Sequence, residues 1–189
     1  VEGPSDRIYL KHWISSVASD LREGIEFSIM FYGGRLLSHL SAQDEVDDHD
    51  INALIELRKI NRNLAIVIDS DRESSSDSIN KTKNRIIDEA EETGVAWVTE
   101  GREIENYIAP EVMETALSTV YSSTYLKRTK KGVFDHVLPF TRKDGTKLEK
   151  VDKVAVAKQV CSQPADLSVL GLEAHINRLV EMIRNANKK

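Results

Sequence analysis

Cysteine is nearly absent from these 189 residues, since Cys161 stands alone. That excludes an internal disulfide and any cysteine-rich zinc site, and it suits a reducing compartment; Cys161 itself reads as a small core residue. The chain also lacks an apolar run near the ~18 residues that a membrane-spanning helix requires, and no charged-then-apolar leader opens it. A cytoplasmic protein without a membrane partner is the expectation. His12, His39, His49, His136 and His175 have no zinc-ligand spacing among them, and no Ser-His-Asp arrangement can be argued from their order. A phosphate loop of the Gly-x-x-x-x-Gly-Lys-Ser/Thr kind is missing. There is no internal repeat, and the basic part of the chain has no aromatic interleaving to suggest base stacking.

What is present is charge, and its distribution is uneven. The hydrophobic share of 40% and charged share of 30% are ordinary for a globular domain, and the length suffices for a real core. Residues 1–119 carry 12 Lys and Arg against 24 Asp and Glu, whereas residues 120–189 carry 14 against 7, within a net charge of −5. An acidic half that binds cations beside a basic half that meets phosphates would account for this; two solvated surfaces of opposite sign would too.

Periodicity predicts alternating elements. After the Gly3-Pro4 turn, Leu10, Trp13, Ile14, Val17 and Leu21 follow helical spacing. Ile25 to Tyr32 reads as a buried strand ending at Gly33-Gly34, and short helices are expected over 35–41 and 51–61. Leu64 to Ile68 is a central strand and Val95 to Thr99 the next, with a helix from about Ser78 to Glu92 between them, burying Ile79, Ile86, Ile87 and Ala90. Strands apolar on both faces, alternating with helices, imply an α/β fold with a mainly parallel sheet covered on both sides. Beyond Glu105 the pattern turns helical: Pro110 to Tyr121, about Glu149 to Cys161, and about Ser168 to Ala186. Val133 to Phe140 reads as an extended piece and Asp144-Gly145 as a tight turn. The expected organisation is a catalytic core over 1–120 and a basic, mostly helical extension over 121–189 that packs on it. The abrupt start on Val1-Glu2-Gly3 reads as the end of a strand, hence as part of a longer protein.

Acidic residues cluster where strands should end. In parallel sheets, ligands bind beyond the carboxyl ends of the strands. Asp69 and Asp71 flank Ser70 directly after Ala65-Ile66-Val67-Ile68, so both carboxylates can face one point while Ser70 turns away. Hard cations such as Mg²⁺ want such oxygen ligands, although aspartates also serve turns. Glu2 and Asp6 lie four residues apart across the Gly-Pro turn, and Asp6 could equally serve the helix N-terminus. Gly101-Arg102-Glu103-Ile104-Glu105-Asn106-Tyr107 forms the third cluster, in which Arg102 and Glu103 could be surface pairs.

Taken together, Val1-Glu2-Gly3-Pro4-Ser5-Asp6 followed by Asp69-Ser70-Asp71 resembles the Toprim (Rossmann-like) domain. The continuation Arg102-Glu103-Ile104-Glu105-Asn106-Tyr107 resembles more narrowly the nuclease Toprim of the overcoming-lysogenization-defect (OLD) family, over roughly residues 1–160. That resemblance implies a phage-defence type of nuclease that follows an ABC-type ATPase in the same polypeptide, with homodimerisation through the full-length protein. Glu2, Asp69 and Asp71 match the family's acidic positions, and Asp6 matches a position that is often Glu there. Glu105 matches the acid of the Ile-Glu-Asn-Tyr segment, and Lys153 is the best match to a downstream catalytic lysine, ahead of Lys150 and Lys147.

The implied chemistry is two-metal hydrolysis of a DNA phosphodiester with Mg²⁺ or Mn²⁺, two ions roughly 3.5–4 Å apart, and Ca²⁺ as a non-productive substitute. Glu2, Asp69, Asp71 and Lys153 are the candidate catalytic residues; Glu2, Asp6, Asp69, Asp71 and Glu105 are the candidate metal ligands. Lys127, Arg128, Lys130, Lys131, Arg142, Lys143 and Lys147 are expected to grip the DNA backbone without reading sequence. Alternatives are a non-catalytic, Mg²⁺-binding receiver-like or nucleotide-binding module, and a primase-type Toprim.

Overall fold

The computed structural model describes residues 1–31, 63–91 and 94–188. The helices expected over 35–41 and 51–61, and the Gly33-Gly34 stop, lie outside them. Among the described residues the fold is mixed α/β: five α-helices, a two-stranded parallel sheet and a three-stranded antiparallel sheet. Helix α1 spans Pro4–Val17, α2 Lys81–Glu91, α3 Pro110–Val120, α4 Lys153–Val160 and α5 Leu172–Ala186. Strands β1 (Ala65–Ile68) and β2 (Val95–Val98) pair in parallel with Ala65 opposite Val95 and Ile68 opposite Val98. Strands β3 (Tyr125–Arg128), β4 (Phe140–Arg142) and β5 (Lys147–Leu148) form the antiparallel sheet.

Strand alternation divides the apolar residues of the parallel pair between two faces. Ile66, Ile68 and Ala96 pack with Ile86 and Ala90 of α2, while Val67, Val95 and Trp97 join the main core. Helix α2 covers one face, and α5 packs on β2 from the other, with α1 against α4 and α5. Trp13, Trp97 and Tyr107 meet in this core with ring centroids 5.5–6.5 Å apart. Burial of side chains this large stabilises by at least the ~1.5–3 kcal/mol of a full apolar side chain. The main core takes residues from both sides of position 120, including Val156, Leu172 and Ile176.

Backbone approach decides one glycine. A Cβ at Gly94 would stand 2.1 Å from the Leu64 carbonyl oxygen. Glycine is required there so that the chain leaving α2 can enter β2 beside β1.

Several expectations are corrected. Ile25 to Phe31 is not a strand: Gly24 takes φ 88°, the Arg22–Phe27 segment turns back on itself, and Ile25 is 64% exposed. The extension is not mostly helical, because the β3–β5 sheet occupies much of its first part. Within it, Phe140 begins β4 whereas Val133 to Pro139 is irregular. Helix α4 starts at Lys153, where Asp152 caps it by accepting from the Ala155 N–H at 2.9 Å, so its buried face is Val156, Ala157 and Val160. Val17, at the end of α1, points outward.

Candidate functional site

Three chain segments build the site, and hydrogen bonds join them. The turn after β1 is tied to the segment after β2: the Ser70 N–H donates to Thr99 Oγ1 at 2.8 Å, and Ser70 Oγ donates to the Gly101 carbonyl at 2.6 Å. The Asp71 N–H donates to the Arg102 carbonyl at 3.0 Å. Ser70 is buried and turned away from the two aspartates, as the triplet pattern predicted. Asp71 adopts φ 56°, a left-handed conformation that Asp tolerates better than most residues.

Asp69 links this turn to the other two segments. Its Oδ1 accepts from the Ile104 N–H at 2.9 Å, and its own N–H donates to Glu2 Oε1 at 3.4 Å. The Ile104–Tyr107 turn is a single 3₁₀ turn that is fully buried. Asn106 fixes it, because its Oδ1 accepts from the Glu103 N–H while its Nδ2 donates to the Gly132 and Asp135 carbonyls. Gly101 leaves room for this: a Cβ there would lie 2.6 Å from Asn106 Cβ and 2.7 Å from the Val133 carbonyl oxygen. Tyr107 anchors the other end, its hydroxyl accepting from Trp97 Nε1 and from the Glu100 N–H.

Glu105 is thereby held completely out of solvent. Its Oε2 lies 3.2 Å from Lys153 Nζ, whereas its Oε1 is buried with no hydrogen-bond partner. Burial pushes the Glu105 carboxyl up to about 7, with Lys153 offsetting part of that rise and Glu103 and Asp6 adding to it. The Asp69 carboxyl is raised well above its ordinary range by burial and then by Glu2, Glu105 and Asp6. Glu2 is raised by burial, partly countered by Lys83. Burial alone would lower Lys153, but Glu105, Glu103 and Asp69 hold its ammonium above the ordinary value.

Glu2, Asp69, Asp71, Glu105 and Lys153 are therefore brought into one neighbourhood from positions far apart in the chain. Asp6 is there too, with a local duty: its Oδ2 accepts from the Glu2 and Gly3 N–H groups at 2.9 and 3.0 Å, and its Oδ1 accepts from Ser5 Oγ at 3.2 Å. It serves the start of α1, the structural role open to it from sequence. Among the described residues, no three His, Cys, Asp or Glu side chains enclose a point as a finished ion cage.

Two residues were undervalued or missed. Glu103 is buried, not a surface charge, and its Oε2 stands 3.2 Å from Lys153 Nζ and 3.5 Å from His136 Nδ1. Lys83 is 1% exposed; its Nζ donates to the Asp69 carbonyl at 2.7 Å and to Asp71 Oδ2. The available signal was helical spacing, since Lys83 shares the apolar stripe of Ile86 and Ala90.

The basic residues expected to grip DNA are mostly engaged. Arg128 is the correction among them: it is buried, donates to the Pro110 carbonyl at 3.4 Å and sits 3.8 Å from Glu114, so it supports the fold. Lys131 pairs with Glu114 at 3.3 Å, Lys130 with Asp135 at 3.5 Å and Lys147 with Glu149 at 2.5 Å, while Lys143 donates to the Ser122 carbonyl. Lys127 is exposed and Arg142 half-buried. None of the described helices is long and apolar enough to cross a membrane. No protein-family model matches this chain, and neither the curated proteins nor the solved structures compared with it give a significant match.

Proposed function

We propose that this chain is a Toprim-type, divalent-metal-dependent nuclease domain that hydrolyses DNA phosphodiesters, of the kind coupled to an ATPase in OLD-like proteins. The observation that carries the reading is Glu105: a fully buried carboxylate with one oxygen unpartnered, beside further carboxylates that burial and mutual repulsion keep unwilling to ionise. A buried acceptor left open is rare in folded proteins and asks for a ligand. Hard oxygen donors fit Mg²⁺ or Mn²⁺.

Glu2, Asp69 and Asp71 would hold one ion, and Glu105 with Asp6 the second, Asp6 through whatever acceptor capacity its capping bonds leave. Bound ions of this class acidify water and stabilise charge on phosphoryl oxygens. The chain's own contribution is placement. Ser70, Thr99 and Gly101 fix the Asp69–Asp71 turn; Asn106 and Tyr107 fix Glu105. Lys153, held by Glu103 and Glu105, would lend positive charge to the scissile phosphate as negative charge develops there. Lys127, Lys130, Lys131, Arg142, Lys143 and Lys147 would meet the DNA backbone, with weak surface pairs exchanged for phosphate contacts.

The test is incubation of the chain with supercoiled and linear DNA in the presence of each divalent ion in turn. Nicking with Mg²⁺ or Mn²⁺, absent with Ca²⁺ and lost in both Glu2→Ala and Asp69→Ala, is the expected result. Cleavage retained in both variants, or no cleavage with any ion, overturns the reading.

A further inference from the structure

A lysine buried to 1% exposure is uncommon, because an ammonium leaves water at a cost that only close partners repay. Lys83 has such partners, and both belong to one turn. Its Nζ reaches the Asp69 carbonyl at 2.7 Å and Asp71 Oδ2, while the Asp71 side chain as a whole remains 57% exposed. Asp71 is also held from the backbone side by its bond to the Arg102 carbonyl, in a left-handed conformation that an unsupported aspartate would readily leave. Lys83 is itself rigidly mounted: its N–H donates to Asn80 Oδ1 at 2.8 Å, and its stem lies on the face of α2 that packs Ile86 and Ala90 under β1. Helix α2 thus connects the packed sheet to an exposed carboxylate through a single ammonium.

We propose that Lys83 is a positioning residue for the Asp69-Ser70-Asp71 turn: it claims one oxygen of Asp71 and the Asp69 carbonyl, and so presents the other Asp71 oxygen, in fixed orientation, to a divalent cation. This rests on the metal-site reading above and adds a residue to it. The alternative role for a lysine among carboxylates is that of a competing cation. The two roles predict opposite signs. A competitor, once removed, leaves the site more negative and cation binding tighter; a positioning residue, once removed, leaves binding weaker despite the added negative charge.

The experiment is calorimetric titration of Mn²⁺ into the wild-type chain, Lys83→Met, Asp71→Asn and the double variant, with thermal unfolding of each without metal. Methionine keeps the stem and its packing while removing the ammonium. Lys83→Met should weaken Mn²⁺ binding by roughly 10-fold or more, and should add little once Asp71 is already Asn. Unchanged or tighter binding in Lys83→Met overturns the inference and leaves the metal site standing; no binding by the wild-type chain overturns both. Should Lys83→Met fail to fold, the wild-type chain still decides the matter. The Lys83 ammonium, followed by ¹⁵N-edited NMR, should stay shielded from solvent exchange when Mg²⁺ is added, and its release into fast exchange overturns the inference.

Discussion

The acidic neighbourhood around Asp69 and the basic stretch from Lys127 to Lys147 handle charge in opposite ways. In the basic stretch, Lys130, Lys131 and Lys147 sit against nearby carboxylates, Lys143 donates to a backbone carbonyl, and the buried Arg128 has Glu114 and Pro110. Around Asp69, the carboxyls of Glu2, Asp69 and Glu105 are all raised by burial, and Glu105 keeps an oxygen without a partner. A chain that neutralises charge readily in one region has left it concentrated in another. The raised carboxyls, rather than unpartnered atoms, separate the two regions, since Arg128 Nε and Glu114 Oε2 are also buried without a hydrogen-bond partner.

The sharpest way to break this contrast is Asp69→Asn. It should lower metal-dependent cleavage by more than the ~10–100-fold typical of losing a supporting partner. The same change should leave the metal-free chain as stable as before or more so, since it relieves repulsion and retains the Oδ1 acceptor for Ile104. A plasmid-nicking assay and a thermal melt check the two halves, and a destabilised variant would show that Asp69 is a structural residue after all.

Next in size is the response of stability to pH. The folded Glu105 carboxyl is pushed up to about 7 from an ordinary 4.5. Between those values the native chain holds a proton that the unfolded chain has lost. This contribution to stability is therefore complete below about 4.5 and disappears as pH rises through about 7. Denaturant unfolding with a chelator present should show that decline, and Glu105→Gln should make it shallower, leaving the part that the raised Glu2 and Asp69 carboxyls contribute.

Arg128→Ala tests the basic side. Removing its buried bonds should cost about 1–3 kcal/mol of stability while leaving the salt dependence of DNA binding unchanged. The smallest effect on stability is expected for Lys127→Ala, within about 0.5 kcal/mol. Its log–log salt slope for DNA binding should fall by about 0.9 if it meets a phosphate. Fluorescence-free filter binding across a salt series distinguishes the two variants, and identical slopes for Lys127→Ala and wild type would remove Lys127 from the DNA surface.

How much of this was legible follows from the strength of each local signal. Strand β1 was readable because five consecutive apolar residues ended in Asp-Ser-Asp, and α5 because Leu172, Ile176, Leu179 and Ile183 repeat at helical spacing and all are buried. The β3–β5 sheet was not, since its strands have 4, 3 and 2 residues and no sustained alternation. Ile25 to Phe31 has the composition of a strand, but Gly24 and the Glu26 carboxylate, which accepts from the Arg22 N–H, close a turn at its start. Among the candidate residues, the acids stood out in the sequence because strand ends need no carboxylates. Lys83 and the buried state of Glu103 were harder to see, because lysine and glutamate normally mark solvent, and for Lys83 only its place on the stripe of Ile86 and Ala90 argued otherwise. Lys153, like Lys83, begins the buried stripe of its helix, Val156, Ala157 and Val160 following it. A lysine that opens an apolar stripe is the pattern both share.

The bond from Trp97 Nε1 to the Tyr107 hydroxyl has an optical consequence. Tyr107 ends the turn that carries Glu105, and Trp97 is one of only two tryptophans in the chain, its ring stacked on His175 at 4.8 Å and 6.5 Å from Trp13. Any rearrangement of that turn must alter the surroundings of an indole whose emission is sensitive to its hydrogen bond and its neighbours. The protein thus carries a fluorophore bonded to Tyr107, which lies two residues along the chain from Glu105 and its open oxygen, and a change in that turn can be followed by intrinsic emission without a label.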